Sequence, residues 1–480
     1  MSRASVSFFI RPAMNGWMTR VALVTVCTVL GCISGFEKEK RTDMGKQAWR
    51  KDDSSWVRGA NYVPTYAQND VQIWNNFNPE IIDRELGYAE QVGINSVRVF
   101  FQIIVYEKDP KLFLDRFEQF LQLCDKHHMR MMPVLFDSCF GEEPTLNALG
   151  WVANPGNTRV ARETWPECEK YIDDVVGKHV GDKRILLWDV MNEPMVAGVY
   201  AQKEENREKI WRFVRHFCKY VGTLDPSHPT TVGTCSVMCL PFIAESEDVL
   251  SIHSYSGDEE KHRADIRKAK ELGHELGGKP LIVSETGHYA LNQSYQLALN
   301  VCREENVGWY IWELMIGIDP FPSVQGIFYP DGTIRSGDDL SAVLGLRKKE
   351  PVNGVFLTRN MSEEQTKSVL KEALATPTKE WNFERRLGDL HAGSLVERIV
   401  LLRIQREKPG FSVEEMQKKA VDGDRSDLER YHALRQTVIG ELGRGLEEAK
   451  QLYRKGDGDN AYRKVDEIVR NIAGQLQIGE

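Results

Sequence analysis

Eight short apolar runs, mostly separated by stretches of helical period, constrain the fold of this chain more than any other feature. The runs lie at 57–63, 96–101, 130–136, 185–191, 229–233, 249–253, 280–284 and 308–313. Strands that alternate with helices pair in parallel, because each crossover helix returns the chain to the same end of the sheet. Eight such units close into a (β/α)8 barrel, which takes about 250 residues. An open, doubly wound sheet also fits this pattern.

Amphipathic stretches between the runs predict the crossover helices. Residues 79–92, 113–127 and 206–221 carry apolar side chains at helical spacing, and Asn78 is predicted to cap the first of them. The connection between the fifth and sixth runs is short, so only a helical stub near 241–246 is expected there.

Two of the runs end in a glutamate. The fourth ends in Asn192, Glu193 and Pro194, and the seventh ends in Ser284 and Glu285. Proline stops a strand, and a carboxylate that follows a buried run is costly unless it is used or paired. The C-terminal ends of barrel strands form the active face. The glutamates, three βα units apart, are therefore predicted to meet there about 5 Å apart, the spacing at which one attacks an anomeric carbon while the other protonates the leaving oxygen.

Other strand ends supply residues that suit such a site. Arg98 ends the second run, where a cation would hold a nucleophile ionised. His253 and Tyr255 are two residues apart, so they face the same way and both can donate hydrogen bonds. Trp312 ends the eighth run and offers an apolar face to a sugar ring. Asn192 is placed to bond a sugar 2-hydroxyl, a contact that strengthens in the transition state.

This combination of residues resembles glycoside hydrolase clan A and is most similar to the family-five cellulases and mannanases, over about residues 56–345. The resemblance implies that Glu193 is the acid/base and Glu285 the nucleophile. It also implies a substrate pocket that consists of Arg98, Asn192, His253, Tyr255 and Trp312. Asp137 ends the third run where many relatives carry His or Asn, and we expect it to take over that contact or to change which sugar fits.

The expected function is that of a retaining glycoside hydrolase acting on a β-glycan or β-linked oligosaccharide of the mannan or glucan type. The alternative is a catalytically inactive barrel that binds glycans or serves as a scaffold. No cofactor is expected, because both working groups are side chains. Endo or exo action is expected to depend on whether loop 138–165 blocks one end of the cleft.

The N-terminus has the pattern of a targeting segment. The apolar run at 21–30 follows basic residues and is too short to span a bilayer. It leads into Gly31 and Cys32, which resemble the end of a bacterial lipobox. Residues 1–31 are therefore predicted to be a signal peptide and 32–55 a tether, in a protein that is secreted or membrane-anchored through a lipidated Cys32, in the periplasm or outside the cell. A plain secretory signal or a buried helix is the alternative.

The composition changes beyond the predicted barrel at 56–346. Charged helical segments dominate residues 347–480, with long helical patterns at 428–454 and 461–476. They predict a C-terminal all-helical module, an αα-hairpin or small bundle, for self-association or docking.

Charge and cysteine content limit the partners. The net charge is −8, with both signs mixed along the chain, which argues against nucleic acid as a partner. Cys235 and Cys239 are spaced to form a disulfide or to bind metal. No second Cys or His pair at metal spacing lies nearby in the sequence, so no metal site is expected.

Overall fold

The computed structural model describes Lys46, Trp49 and most of residues 53–345 and 393–475. The gaps in these ranges are 140–142, 149, 196–203, 289–292, 318–325, 331, 333, 336, 413–414, 417–418, 420–423 and 425. The predicted signal peptide with Cys32, nearly all of the predicted tether and residues 346–392 lie outside the described residues. The boundary predicted at residue 346 stays a prediction.

Eight parallel strands form one sheet in the order β5-β4-β3-β2-β1-β8-β7-β6. Their bounds are β1 Arg58–Asn61, β2 Ser96–Phe100, β3 Arg130–Asp137, β4 Trp188–Asn192, β5 Thr230–Gly233, β6 Leu250–His253, β7 Leu281–Thr286 and β8 Gly308–Ile311. Strand β1 pairs with both β2 and β8, so β5 and β6 stand at the two ends of this order. A parallel bridge between Thr234 and Ile252 links β5 to β6. The sheet is therefore a nearly closed barrel, and the predicted fold class is confirmed.

Helices follow most strands and cover the outside of the barrel. They are α1 Asp70–Asn75, α2 Pro79–Gln91, α3 Ile103–Lys108, α4 Pro110–Lys126, α5 Asn157–Val160, α6 Pro166–Val175, α7 Glu204–Leu224, α8 Glu259–Glu275, α9 Tyr295–Glu304 and α10 Gly337–Leu344. Asn78 caps α2 as predicted, since its side chain accepts a hydrogen bond from the Ile81 amide. The short β5–β6 connection is a 3₁₀ helix at Val237–Phe242, which begins earlier than the predicted stub because Ser236 caps it.

Aromatic side chains fill the layer between the sheet and its first helices. Trp74 is fully buried there, and its indole donates a 2.7 Å hydrogen bond to the carbonyl of Phe100. Its ring contacts Phe101, Phe113 and Phe120. Burying a side chain of this size contributes several kcal/mol, about 3–5 kcal/mol by truncation. The tryptophan therefore serves the core and has no face open to a sugar.

Three further helices form a separate C-terminal group: α11 Gly393–Glu407, α12 Ser426–Arg454 and α13 Gly458–Gln475. One face of α12 carries Val438, Leu442 and Leu446, which pack in a common apolar cluster with Ile404 of α11 and Val465 of α13. This agrees with the predicted small helical bundle. No helix within the described residues is long and apolar enough to cross a membrane.

Candidate active site

The two glutamates predicted from the strand ends lie side by side at the C-terminal mouth of the barrel. Glu193 directly follows β4, and Glu285 is the penultimate residue of β7. Glu193 has φ of +42°, in the left-handed region that non-glycine residues seldom adopt, and its amide donates a 2.7 Å hydrogen bond to the carbonyl of Gly233. Backbone conformations strained in this way occur mainly where the surrounding structure enforces them, often at functional sites. One carboxylate oxygen of each glutamate and a ring nitrogen of His253 lie within 4.8 Å of one another.

A fully buried arginine donates a hydrogen bond to Glu285. Arg98 Nη1 donates a 2.5 Å hydrogen bond to Glu285 Oε1, and Nε donates one of 2.9 Å to Asp189 Oδ2. The remaining donors reach Asn61 Oδ1 at 2.9 Å and Asn192 Oδ1 at 2.7 Å. A buried cation needs such compensation, and two carboxylates with two amide oxygens supply it. The guanidinium therefore fixes the position of the β7 carboxylate relative to β2 and β4.

His253 lies between the two carboxylates. Its Nδ1 is 2.6 Å from Glu193 Oε1 and 3.3 Å from Glu285 Oε2. Tyr255, two residues further along, donates a 2.7 Å hydrogen bond to the same Glu285 oxygen. Burial, together with the charge of Glu285, raises the pKa of the Tyr255 hydroxyl well above its usual value, so it stays a donor at neutral pH. Both side chains therefore face the same pair of carboxylates, as their spacing predicts.

The surroundings shift the pKa values of the two carboxyl groups in opposite directions. Burial raises the pKa of Glu285 above its ordinary value, and the charge of Glu193 adds to this, while His253, Arg98 and Tyr255 oppose it. Burial also raises the pKa of Glu193, but the hydrogen bond from His253 and contacts with Cys139 and Arg98 bring it below its ordinary value. In this arrangement of His253, Glu285 is therefore the harder of the two to ionise.

Asn192 and Asp137 form a bonded pair beside the glutamates. The Asn192 amide group donates a 3.1 Å hydrogen bond to Asp137 Oδ1, while its carbonyl oxygen accepts from Arg98. Asp137 Oδ1 also accepts from the backbone amide of Cys139 at 2.8 Å. Burial raises the pKa of Asp137 well above its usual value. Both side chains line the site, and their contacts with a sugar stay predictions.

Aromatic rings close one side of the site. Trp312 follows β8, and its amide donates a 2.9 Å hydrogen bond to the carbonyl of Thr286. Its ring centroid lies 6.0 Å from that of Phe100 and 6.4 Å from that of Trp151. Phe100 and Trp151 are themselves 5.0 Å apart in an edge-to-face arrangement. Trp312 is only 5% exposed, so it is part of a buried three-ring wall, and its stacking on a sugar stays a prediction.

Four residues of the site were not predicted from the sequence: Asn61, Cys139, Asp189 and Gly233. Asp189 is a carboxylate inside an apolar strand, which is a signal that could have been used. Gly233 is a second signal, because a glycine in a strand often marks the close approach of another group. In the structure, a Cβ there would lie 2.7 Å from Arg98 Nη2 and 2.9 Å from His253 Nε2. Cys139 carried no such signal, although its thiol lies within hydrogen-bonding reach of Glu193.

Two groups among the described residues have the spacing of metal ligands. One is the Glu193, His253 and Glu285 group already described, and the other is Glu118, His179 and Asp182. In the second group, Arg184 bonds Glu118 Oε1 at 2.8 Å and Asp182 Oδ2 at 2.6 Å. A guanidinium already neutralises those carboxylates, so this cluster does not suit a cation. Cys235 and Cys239 are thiols whose sulfur atoms lie 3.4 Å apart.

A (β/α)8 barrel with two glutamates close together at the C-terminal ends of its strands is an arrangement that a glycoside hydrolase can use. The family model of cellulase, glycosyl hydrolase family 5, matches residues 72–317, slightly more than half of the chain. The chain belongs to this family, and it is a glycosidase.

Solved structures with similar folds include several carbohydrate-active enzymes. The exo-β-1,4-mannosidase Op5Man5 from Opitutaceae bacterium strain TAV5 is 15% identical with a TM-score of 0.45; the match covers 60% of this chain and 58% of that one. The GH5_18 protein from Streptomyces cattleya, solved with GlcNAc, is 13% identical with a TM-score of 0.48, covering 62% and 82%. The endo-β-1,4-mannanase from Thermotoga petrophila is 14% identical with a TM-score of 0.44, covering 64% and 80%. A comparison with curated protein sequences finds no match.

Proposed function

We propose that this chain is a retaining β-glycosidase in which Glu285 is the nucleophile and Glu193 the acid/base. The observation that carries the proposal is the proximity of the two carboxylates, which have oxygen atoms within 4.8 Å of each other. Retaining enzymes place their carboxyl groups about 5–5.5 Å apart, whereas inverting enzymes leave about 6.5–9.5 Å for a water molecule.

The bonding of the glutamates supports this assignment of roles. Arg98 and Tyr255 both donate to Glu285, which orients its carboxylate and stabilises its charge. Glu193 is the more exposed carboxylate, with 13% of its side chain accessible against 7% for Glu285. The group that exchanges protons with a leaving oxygen and with water needs that access.

The reaction then takes two displacements. In the first, a Glu285 oxygen bonds to the anomeric carbon as the glycosidic bond breaks, and Glu193 gives its proton to the leaving oxygen. In the second, Glu193 takes a proton from water, the water oxygen bonds to the same carbon, and Glu285 leaves as a carboxylate. The ester formed in the first step removes the charge of Glu285, which lowers the pKa of Glu193. Glu193 therefore stays a carboxylate and can act as the base in the second step.

We propose that the His253 imidazole moves between the two carboxylates as Glu193 changes from acid to base. Its present 2.6 Å bond to Glu193 favours the Glu193 carboxylate, which is the form required when Glu193 acts as a base. The first step requires the reverse, with Glu193 protonated. The other carboxylate lies only 3.3 Å from the same nitrogen, so a small movement of the imidazole toward Glu285 favours that state.

The proposed substrate is a neutral β-linked glycan or oligosaccharide of the mannan or glucan type. Among the described residues, Arg98 is the cation that contacts the glutamates. Asp189 and Glu285 already neutralise its charge. It is therefore not available to bind the carboxylate of an acidic sugar. Membership of the cellulase family supports a β-glycan.

The test compares Glu285→Ala and Glu193→Ala with the wild-type chain on aryl β-glycosides and β-glycans. Loss of the acid/base should reduce hydrolysis of poor leaving groups about 10²–10⁴-fold. Azide added with an activated aryl glycoside should then give the β-glycosyl azide with Glu193→Ala and the α-glycosyl azide with Glu285→Ala. Exchanged products would mean that the roles are reversed.

A matched control is Glu260→Ala, an exposed residue of α8, which should behave as wild type. Glycan binding by all proteins without hydrolysis by any would favour the inactive-barrel alternative.

We also propose export and lipidation at Cys32. The basic residues, the apolar run at 21–30 and the Gly31-Cys32 ending support this. Labelling with radioactive palmitate in a bacterial host tests it, with Cys32→Ser as the variant that should lose the label. Label retained by that variant, or no label on the wild type, would contradict lipidation.

A further inference from the structure

The C-terminal helices contact the barrel at its catalytic face. Arg435, on α12, is fully buried and donates a 2.9 Å hydrogen bond to Gln68 Oε1. Gln436 donates to the same oxygen at 2.7 Å. Gln68 lies between β1 and α1, in the loop that leaves the C-terminal end of its strand. The contact is therefore on the side of the barrel where the glutamates lie.

A second contact reaches the segment that follows β3. The imidazole of His432 lies so close to Gly150 that a Cβ on the glycine would be 2.8 Å from His432 Cε1. His432, Arg435 and Gln436 are spaced at i, i+3 and i+4, so they are neighbours on the surface of α12. Arg435 is seven residues from Leu442, so it lies beside the apolar face that packs against α11 and α13. One face of this helix is thus used for contact with the barrel loops.

The two contacted loops are also bonded to each other. Asn69 donates hydrogen bonds of 2.9 Å to the carbonyls of both Ala148 and Gly150. The next residue is Trp151, whose ring packs against Phe100 and Trp312 in the wall of the site. A continuous set of contacts therefore runs from α12 through Gly150 to the aromatic wall beside the glutamates.

The wall lies next to a loop that α12 contacts, since Trp151 directly follows Gly150. Trp151 is only 4% exposed, so it offers no face on which a second sugar ring could lie. A long glycan that is cut internally must leave the site on two sides. On the β1–β3 side it would have to pass Gln68 and Gly150, which α12 contacts.

We propose that α12 closes one end of the substrate cleft, so that the enzyme removes short units from a chain end and does not cut internally. The proposal rests on the proposed function. Helix α12 lies outside the match to family 5. Its proposed role is to select substrates by its contact with the barrel of the same chain.

The experiment follows the products formed from β-linked oligosaccharides and from a polymer by the full-length chain. Wild type should release one short product from the first time point. Arg435→Ala should raise the ratio of internal to terminal cleavage about tenfold, the scale set by losing a hydrogen bond to a buried charged group. Hydrolysis of an aryl monoglycoside should stay near the wild-type rate. Arg444→Ala, the same change at an exposed position of α12, is the matched control and should resemble wild type.

A second pair of variants serves if Arg435→Ala fails to fold. The methyl group of Gly150→Ala should push against His432 and raise internal cleavage, and adding His432→Ala should restore terminal cleavage. Mixed internal products from wild type, or product patterns unchanged in both Arg435→Ala and Gly150→Ala, would overturn the closed end while leaving the glycosidase intact. Absence of hydrolysis of the aryl glycoside as well would overturn the proposed function and this proposal with it.

Discussion

His253 Nδ1 lies 2.6 Å from Glu193 Oε1, close enough for one imidazole to set the ionisation of the carboxylate that ends β4. The same nitrogen is 3.3 Å from Glu285, so its influence extends to both members of the pair. His253 lowers the pKa of Glu193 and opposes the rise in the pKa of Glu285. A side chain with contacts to both carboxylates connects their titrations, and the pH profile reports the pair.

The first prediction concerns that profile. Substitution His253→Ala removes a donor to both carboxylates, so the pKa of each should rise. In kcat/KM both limbs, which report the two coupled carboxyl groups of the free enzyme, should therefore move to higher pH. The measurement is kcat/KM on an aryl glycoside across pH 3–10, a range of about 7 units that covers both limbs.

The variant Tyr255→Phe is the control for this prediction. Tyr255 donates to Glu285, and it is not among the groups that shift the pKa of Glu193. Only the limb that Glu285 sets should therefore move up. Equal movement of both limbs in Tyr255→Phe, or unmoved limbs in His253→Ala, would contradict the roles given to these donors.

A second prediction tests the thiol beside the acid/base. Hydrogen bonding by Cys139 helps to lower the pKa of Glu193, so Cys139→Ala should raise that pKa and move the limb that Glu193 sets to higher pH. Burial and the charges of Glu193 and Asp137 raise the pKa of the Cys139 thiol well above its usual value, so it should react only slowly with an alkylating reagent at neutral pH. Cys168→Ala, at a buried position in α6, should leave the profile unchanged. An unchanged profile in Cys139→Ala would show that the thiol does not act on Glu193.

The alternation of strands and helices predicted a parallel sheet, and its eight units favoured a barrel over the open sheet that fits the same pattern. The Glu-bearing strand ends identified the two carboxylates that the structure brings together. Strict alternation along β4, however, would point Asp189 and Asn192 to opposite faces. The register of β4 against β5 shifts between these two residues, and both therefore bond Arg98. A bulge of this kind depends on the neighbouring strand, which explains why Asp189 was not predicted.

The contact of α12 with the barrel could not be predicted either. Arg435 and Gln68 are separated by 367 positions, and neither lies in a motif that points to the other. The sequence indicated a solvated helical bundle, because the helix pattern defines its apolar face well. The polar residues beside that face look the same whether water or a barrel loop covers them.

A third prediction addresses the stability of the buried ion pairs. Arg98→Met leaves Asp189 fully buried without its cation, which should lower the free energy of unfolding by about 3–5 kcal/mol. The double variant Arg98→Met with Asp189→Asn should recover part of this loss, because a neutral amide costs less to bury than a carboxylate. Urea unfolding monitored by tryptophan fluorescence measures both. Additive losses in the double variant would show that Asp189 does not depend on Arg98.

The last prediction concerns Gly233, whose missing side chain leaves space for two functional groups. In Gly233→Ala the new methyl group would lie 2.7 Å from Arg98 Nη2 and 2.9 Å from His253 Nε2, so one or both must move. Overpacking of this kind costs about 1–3 kcal/mol in stability. The displaced donors should also reduce kcat on an aryl glycoside more than they change KM, because they act on the carboxylates and not on the bound sugar.

Gly222→Ala is the matched control for that change, since Gly222 lies within α7 and its Cβ would meet its nearest neighbour, Thr230, at a comfortable 3.9 Å. Alanine is favoured over glycine inside a helix by about 1 kcal/mol, so this variant should be as stable as wild type or more stable, with kcat unchanged. A Gly233→Ala enzyme with wild-type kcat and stability would mean that Arg98 and His253 tolerate displacement, and that their observed positions are not required for activity.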